Sequence, residues 1–158
     1  MTSAWGTVPR LLAQHTYLVL ATADVEGRPW ATPVFYAAQN EHVVFWVSAP
    51  GSRHSRNIAE RPVVAVTIFD SHAPIDGAEA LYLEATATPV EDRDRSTALD
   101  TLNARLPARH RLAMADVEVS GTFRVYRADV SRHFVLIRGG DQRFDNTTDM
   151  RLEVAPPG

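Results

Sequence analysis

Two residue types are missing from this chain of 158 residues. There is no cysteine, and all of the 16 basic side chains are arginine, because lysine is absent as well. The first absence excludes disulfides, thiolate catalysis and cysteine-based zinc sites. The second excludes an internal pyridoxal-phosphate Schiff base and a Walker-type phosphate loop, both of which need a lysine amine. No apolar run approaches the roughly 20 residues that span a bilayer, which leaves no expected membrane segment. The opening MTSAWGTVPRLLAQ lacks the charged start and unbroken apolar stretch of a signal peptide, so the expected location is the cytoplasm. A formal net charge of −3 lacks the basic excess of a general nucleic-acid binder, and no such partner is expected.

The six histidines (His15, His42, His54, His72, His110 and His133) show no H-x-x-x-H or H-x-H spacing, so no metal site is predicted. There is no G-x-S-x-G elbow, and neither Ser48 nor Ser52 has a sequence neighbour arranged as a base. The basic cluster at 105–112 reads as the wet face of a helix. Trp5, Trp30 and Trp46 read as core residues or barrel plugs rather than stacking platforms.

What is present is a succession of short apolar, β-branched segments separated by turn residues. Segments 16–23, 29–38 and 42–48 read as three strands joined by DVEGR and AQNEH, an antiparallel meander. Residues 5–14 and 52–60 suit short helices, the second with Ser52 as N-cap and Arg61-Pro62 as stop. VVAVTIFD from residue 63 reads as a continuous apolar strand. ALYLEATATPVE places Leu81, Leu83, Ala85 and Ala87 on one strand face. A helical insertion is expected over about 92–116, where Ala98, Leu99, Leu102 and Leu106 recur at helical spacing. One or two strands cover about 121–138, followed by a polar, extended or loosely ordered tail from about 139. The economical architecture is mainly β: a single domain over 1–158, a six-or-so-stranded closed or split barrel with short helices.

Within this pattern GSRHSRNI (51–58) stands out, because it sets Arg53, His54 and Arg56 at a helix start. A phosphate dianion is well served by a planar guanidinium and by the free amides of a helix N-terminus. The competing reading is a solvated turn whose arginines pair with Glu60 or Asp70.

Three segments together resemble the pyridoxamine 5′-phosphate oxidase-like, FMN-binding split-barrel family. They are LATADVEGRPWATPVFY, FWVSAPGSRHSRNIAERPVVAVTIFD and LYLEATATPVED. The resemblance implies a flavin-dependent oxidoreductase acting on a small-molecule substrate, with FMN held between the subunits of a homodimer. Carried over position by position, Ser52, Arg53 and His54 would anchor the flavin phosphate. Thr32, Pro33 and Val34 would lie along the flavin and its ribityl chain. Trp46 and Val47 would stand where the family uses an aromatic and a small residue. His54 replaces a lysine, so the resemblance implies a socket whose charge titrates near neutrality and whose affinity falls as pH rises. Ala85 stands where the family often has glycine. The tail has Arg151-Leu152 but no tryptophan, unlike the vitamin B6 enzyme itself, so the resemblance is to the broad related branch. Two alternatives stay open: a relative using coenzyme F420, with Arg56 and Arg61 for its anionic tail, or a non-catalytic flavin- or haem-binding barrel. For haem, His54 or His133 would be the axial ligand. The sequence assigns no catalytic residue.

Overall fold

The computed structural model describes residues 4–158. A single 3₁₀ turn, Ala4–Gly6, leads into helix α1 (Thr7–Gln14). Strands β1 (Tyr17–Ala23) and β2 (Pro29–Phe35) form a hairpin in register from Tyr17↔Phe35 to Ala23↔Pro29. Its turn is tied by Asp24, whose carboxylate accepts the amides of Glu26 and Arg28, and Gly27 supplies the positive φ of 83° that the turn requires. Strands β3 (Ala37–Asn40) and β4 (Val43–Ser48) form a second hairpin. Helix α2 (Arg53–Glu60) and strands β5 (Val63–Phe69) and β6 (Ala80–Pro89) follow. Helices α3 (Arg95–Asn103) and α4 (Met114–Val117) fill the insertion, and β7 (Arg124–Ile137) and β8 (Met150–Val154) complete the chain.

All ladders are antiparallel, in the order β2-β1-β5-β6-β7-β4-β3, with β8 beside the second half of β7. The expected meander of three strands is corrected here. Segment 29–38 is two strands, and β3 lies at the opposite end of the sheet from β2. Tyr36 makes the break: it is fully buried, its hydroxyl donates to the Leu12 carbonyl at 2.8 Å, and its own carbonyl accepts Arg105 Nη1 at 2.8 Å. Pinned at its hydroxyl and its carbonyl, Tyr36 falls just beyond the last ladder pair of β2, Tyr17↔Phe35. The result is a split barrel of eight antiparallel strands with a few short helices.

The segment expected as a loosely ordered tail also supplies a strand, β8, in register with β7 from His133↔Val154 to Ile137↔Met150. β7 itself is one strand of 14 residues, bent where Ser131 is squeezed out of register opposite Glu84 and Ala85. The bulged Ser131 hydroxyl donates to the Glu84 carbonyl at 3.0 Å.

Two cores share the sheet. The barrel interior collects Leu18, Leu20, Val66, Leu81, Leu83 and Trp46, and is capped by Val8 and Leu11 of α1 and Ile58 of α2. Outside, Ala98, Leu99 and Leu102 of α3 cover Val43 and Phe45 of β4 and Val125 of β7. This explains why β4 reads as an unbroken apolar run: its alternate residues serve opposite cores. β5 reads the same way but is different. Its even residues Val64, Val66 and Ile68 are buried, while Val63 is 73% exposed and Phe69 is also exposed.

Candidate functional site

Helix α2 starts where β4 ends, so its first turn hangs over the rim of the barrel interior. Ser52 is the N-cap, in extended conformation, and its Oγ accepts the Ser55 amide at 3.4 Å and donates to Ser55 Oγ at 2.8 Å. The amides of Arg53 and His54 then lie in the first turn, where a helix has no carbonyl for them. Ser55, Asn57 and Ile58 are buried and dock the helix against β1. Asn57 Nδ2 donates to Thr22 Oγ1 at 3.0 Å, and Thr22 Oγ1 lies 3.5 Å from the Trp30 carbonyl it donates to.

The charges on α2 run against its dipole. Arg53 and Arg56 occupy the first turn, which has no acidic residue, and Glu60 ends the helix. Each misplaced charge costs about 0.3–1 kcal/mol when exposed. A helix built only for stability would reverse this order, whereas one built to receive an anion would not. Arg56 Nη1 donates to the Gly51 carbonyl, and Arg61 Nη2 to the Val25 carbonyl at 2.6 Å. Arg53 is different. Its guanidinium carbon sits 4.5 Å from the centroid of the Trp30 ring, and among the described residues it has no hydrogen bond or ion pair. It pairs with neither Glu60 nor Asp70, and Asp70 faces His72 instead. Trp30, expected in the core, is 39% exposed at the end of β2.

His54 folds back onto the end of β4. Its Nε2 is 2.7 Å from Ser48 Oγ and 3.2 Å from Ser52 Oγ. The sequence order hides this pairing, and the expectation that no base stands beside either serine is therefore corrected. No carboxylate orients the other ring nitrogen among the described residues, and Ser48 is buried. The arrangement braces the ring rather than activating a nucleophile. Burial holds the imidazole below its ordinary value. His54 is thus a neutral hydrogen-bonding strut at neutral pH, and the expected loss of socket charge as pH rises through neutrality moves to lower pH.

The other predicted residues divide by strand face and by position along the strand. Thr32 is half-buried on the face of β2 that also carries Trp30, toward α2. Val34 and Trp46 point into the barrel interior; Trp46 is 0% exposed and stacks on Tyr126 with centroids 5.7 Å apart. Val47 packs on the opposite side, against the cluster under α3. Pro33 lies on the outer sheet face, in a concavity of about 500 Å³ with Tyr17, Val19, Thr67 and Phe69. The fold therefore brings together Ser52, Arg53 and His54, joined by Trp30 and Ser48, and sets Thr32 two residues along β2 from Trp30 on the same strand face. It packs the side chains of Val34, Trp46 and Val47 elsewhere. Neither Trp30 nor Ser48 carried a sequence signal beyond its position at a strand end.

His133, considered as an axial ligand, is 3% exposed, and its Nε2 lies 2.7 Å from the Glu41 carbonyl. It stands edge-on to Trp5 and His42, with centroids 4.9 Å and 5.1 Å away. Burial, with His42 nearby, lowers its pKa, while the Glu41 carbonyl works against that shift. Both His54 and His133 therefore bind protons less readily folded than unfolded. Stability from these groups is complete above the ordinary histidine value of about 6.5 and is lost as pH falls below it. The thermal midpoint of the ligand-free protein is expected to fall as pH drops below about 6.5, and a variant with both His54→Gln and His133→Gln should fall less steeply. Equal slopes for the two proteins would show that these rings are not responsible.

A family model described as pyridoxamine 5′-phosphate oxidase matches residues 6–136. Among solved structures, a heme binding protein from Mycobacterium smegmatis superposes with a TM-score of 0.72 at 19% identity, covering 98% of this chain and 59% of that longer one. HutZ, the heme storage protein from Vibrio cholerae, gives 0.67 at 18% identity, over 85% of this chain and 95% of its own. A structure described as F420 reductase gives 0.58 at 21% identity, over 78% of this chain and 93% of its own. At these identities the likeness is one of fold. A comparison with curated proteins finds no match.

Proposed function

The chain belongs to the pyridoxamine 5′-phosphate oxidase family, and from that premise we propose that it is an FMN-dependent oxidoreductase whose flavin phosphate seats at the start of α2. The observation that carries the proposal is Arg53, a guanidinium with no hydrogen-bond or ion-pair partner among the described residues, beside first-turn amides on a helix whose charges oppose its own dipole. Such a constellation fits a phosphate monoester: Arg53 donates charge-assisted hydrogen bonds, the amides of Arg53 and His54 donate along the helix axis, Ser52 caps the turn that presents them, and the Thr32 hydroxyl lies on the strand face that carries Trp30. Bound FMN would supply the hydride or electron chemistry, and the chain's part is to hold it and exclude solvent. No general acid or base is required of the chain.

A homodimer is part of this proposal. The outer face of β2-β1-β5 is apolar and unpartnered: Tyr17 is 61% exposed, Val63 and Phe69 are exposed, and Val19 pairs with both Pro33 and Thr67 across the ladders. A second subunit on this face would bury it and would bring Pro33 to a ligand lying between the chains.

The F420 reading has less support because Arg56 and Arg61, the residues an anionic tail would need, are each tethered to a backbone carbonyl by one of their N–H donors, whereas Arg53 keeps all of its own free among the described residues. A haem reading loses support because Nε2 of His54 and Nε2 of His133 are both engaged. The test is the visible absorption spectrum of the purified protein during titration with FMN and, separately, with F420. FMN is expected to bind with a perturbed flavin spectrum, and F420 to bind more weakly or not at all. Failure of FMN to bind would overturn the proposal.

A further inference from the structure

Resting on that reading of the α2 socket, we propose that Trp30 is the positioning residue of Arg53: it holds the guanidinium by its flat face and leaves the N–H edge for the anion. Guanidinium chemistry separates these two uses. The face of the plane attracts the aromatic quadrupole, while the five N–H donors point outward in the plane. A stacked arginine is therefore not a consumed one. Here the guanidinium carbon lies over the Trp30 ring, 4.5 Å from its centroid, and the guanidinium has no hydrogen-bond or ion-pair partner among the described residues.

The platform is itself held. Trp30 pairs with Thr22 in the β1–β2 ladder. Thr22 Oγ1 lies 3.5 Å from the Trp30 carbonyl it donates to, and it accepts from Asn57 Nδ2 at 3.0 Å. Asn57 lies one turn along α2 from Arg53, so one helix carries both the guanidinium and the group that ties the helix to the platform's strand. Thr22 and Asn57 are each 5% exposed, which keeps water from competing with the relay. Position and tether together fix where Arg53 can reach. A free arginine side chain would surrender about 2 kcal/mol of rotamer entropy on binding, and a stacked one has surrendered part of it beforehand. The same logic gives the site a reason to use arginine, since an ammonium has no plane to stack.

The experiment is a double-mutant cycle on FMN affinity, read by quenching of flavin fluorescence, with inorganic phosphate as competitor. It uses the full chain with Trp30→Leu, Arg53→Ala and both changes together. Trp30→Leu is expected to weaken FMN binding roughly 2- to 30-fold. The double variant should bind no more weakly than Arg53→Ala alone, and Trp30→Phe should recover most of the affinity. The proposal is overturned if Trp30→Leu binds like the wild type while Arg53→Ala does not, an outcome that leaves the socket standing. It is also overturned if the two losses add, because Trp30 would then touch the ligand on its own account. If Trp30→Leu does not fold, Trp30→Phe and Trp30→Tyr form the series, and affinity unrelated to ring character overturns it. If FMN does not bind the wild type, the socket and the platform fall together.

Discussion

Replacing Arg53 by alanine is expected to weaken FMN binding by about 10- to 150-fold, the equivalent of ~1.5–3 kcal/mol for a hydrogen-bonded pair with a charged group. The same change should leave the thermal midpoint of the ligand-free protein almost where it was. Two stability effects oppose each other. Removing the stack on Trp30 loses about 0.5–1 kcal/mol for an exposed cation–π contact. Removing a positive charge from the first turn of α2 recovers about 0.3–1 kcal/mol of dipole repulsion. Their difference is within the scatter of either, so the loss of affinity would not be a loss of folding. Isothermal titration with FMN and a thermal melt of the same preparation decide the matter. Wild-type affinity in the variant would mean that the start of α2 is a solvated turn. A large drop in the midpoint would mean that Arg53 serves the fold.

Trp46 should behave in the opposite way. It is fully buried, stacked on Tyr126, and surrounded by the barrel core. Trp46→Ala is expected to cost about 3–5 kcal/mol, a third or more of the stability of a typical domain. Trp46→Phe should cost much less, for a specific reason. The indole Nε1 is buried with no hydrogen-bond partner among the described residues, a burden of about 1–3 kcal/mol that phenylalanine removes while keeping an aromatic face for Tyr126. The phenylalanine variant should bind FMN as the wild type does. Chemical denaturation measures the first two quantities and a flavin titration the third. A tenfold loss of FMN affinity in Trp46→Phe would return this residue to the flavin, where the family resemblance put it.

These two residues lie seven positions apart and were both read from sequence as cofactor contacts. What separates them is the side of a strand. Along β4 the alternation sends Trp46 inward and Val47 outward, but both faces are covered, so no polar residue in the run reveals which is which. For α2 the sequence was sufficient. Ser52 before a polar first turn, and Arg61-Pro62 after Glu60, define both ends by local rules of capping and steric exclusion. β6 was equally legible, because Leu81, Leu83, Ala85 and Ala87 alternate with exposed positions and all four are buried.

Where the expectation failed, the cause was non-local. The split between β2 and β3 falls at Tyr36, which is held by partners distant in sequence: the Leu12 carbonyl, and Arg105 69 residues away. β8 is a five-residue strand whose half-buried Met150, Leu152 and Val154 meet the barrel core only once the strand is in register with β7. The exposed face of β5 looks buried in sequence because apolar residues fill both of its sides.

The sequence by itself determined the strand-rich class, the exclusion of thiol and lysine chemistry, and the arginine at a capped helix start. Each of these rests on composition or on interactions within one turn of chain. The tertiary structure decided that Trp30 rather than Trp46 stands beside that arginine, that His54 reaches Ser48, and that four of the eight predicted contacts (Pro33, Val34, Trp46 and Val47) lie away from the socket. Such facts depend on which strand face meets which element across the barrel, and period-two alternation leaves that choice open until the sheet is assembled.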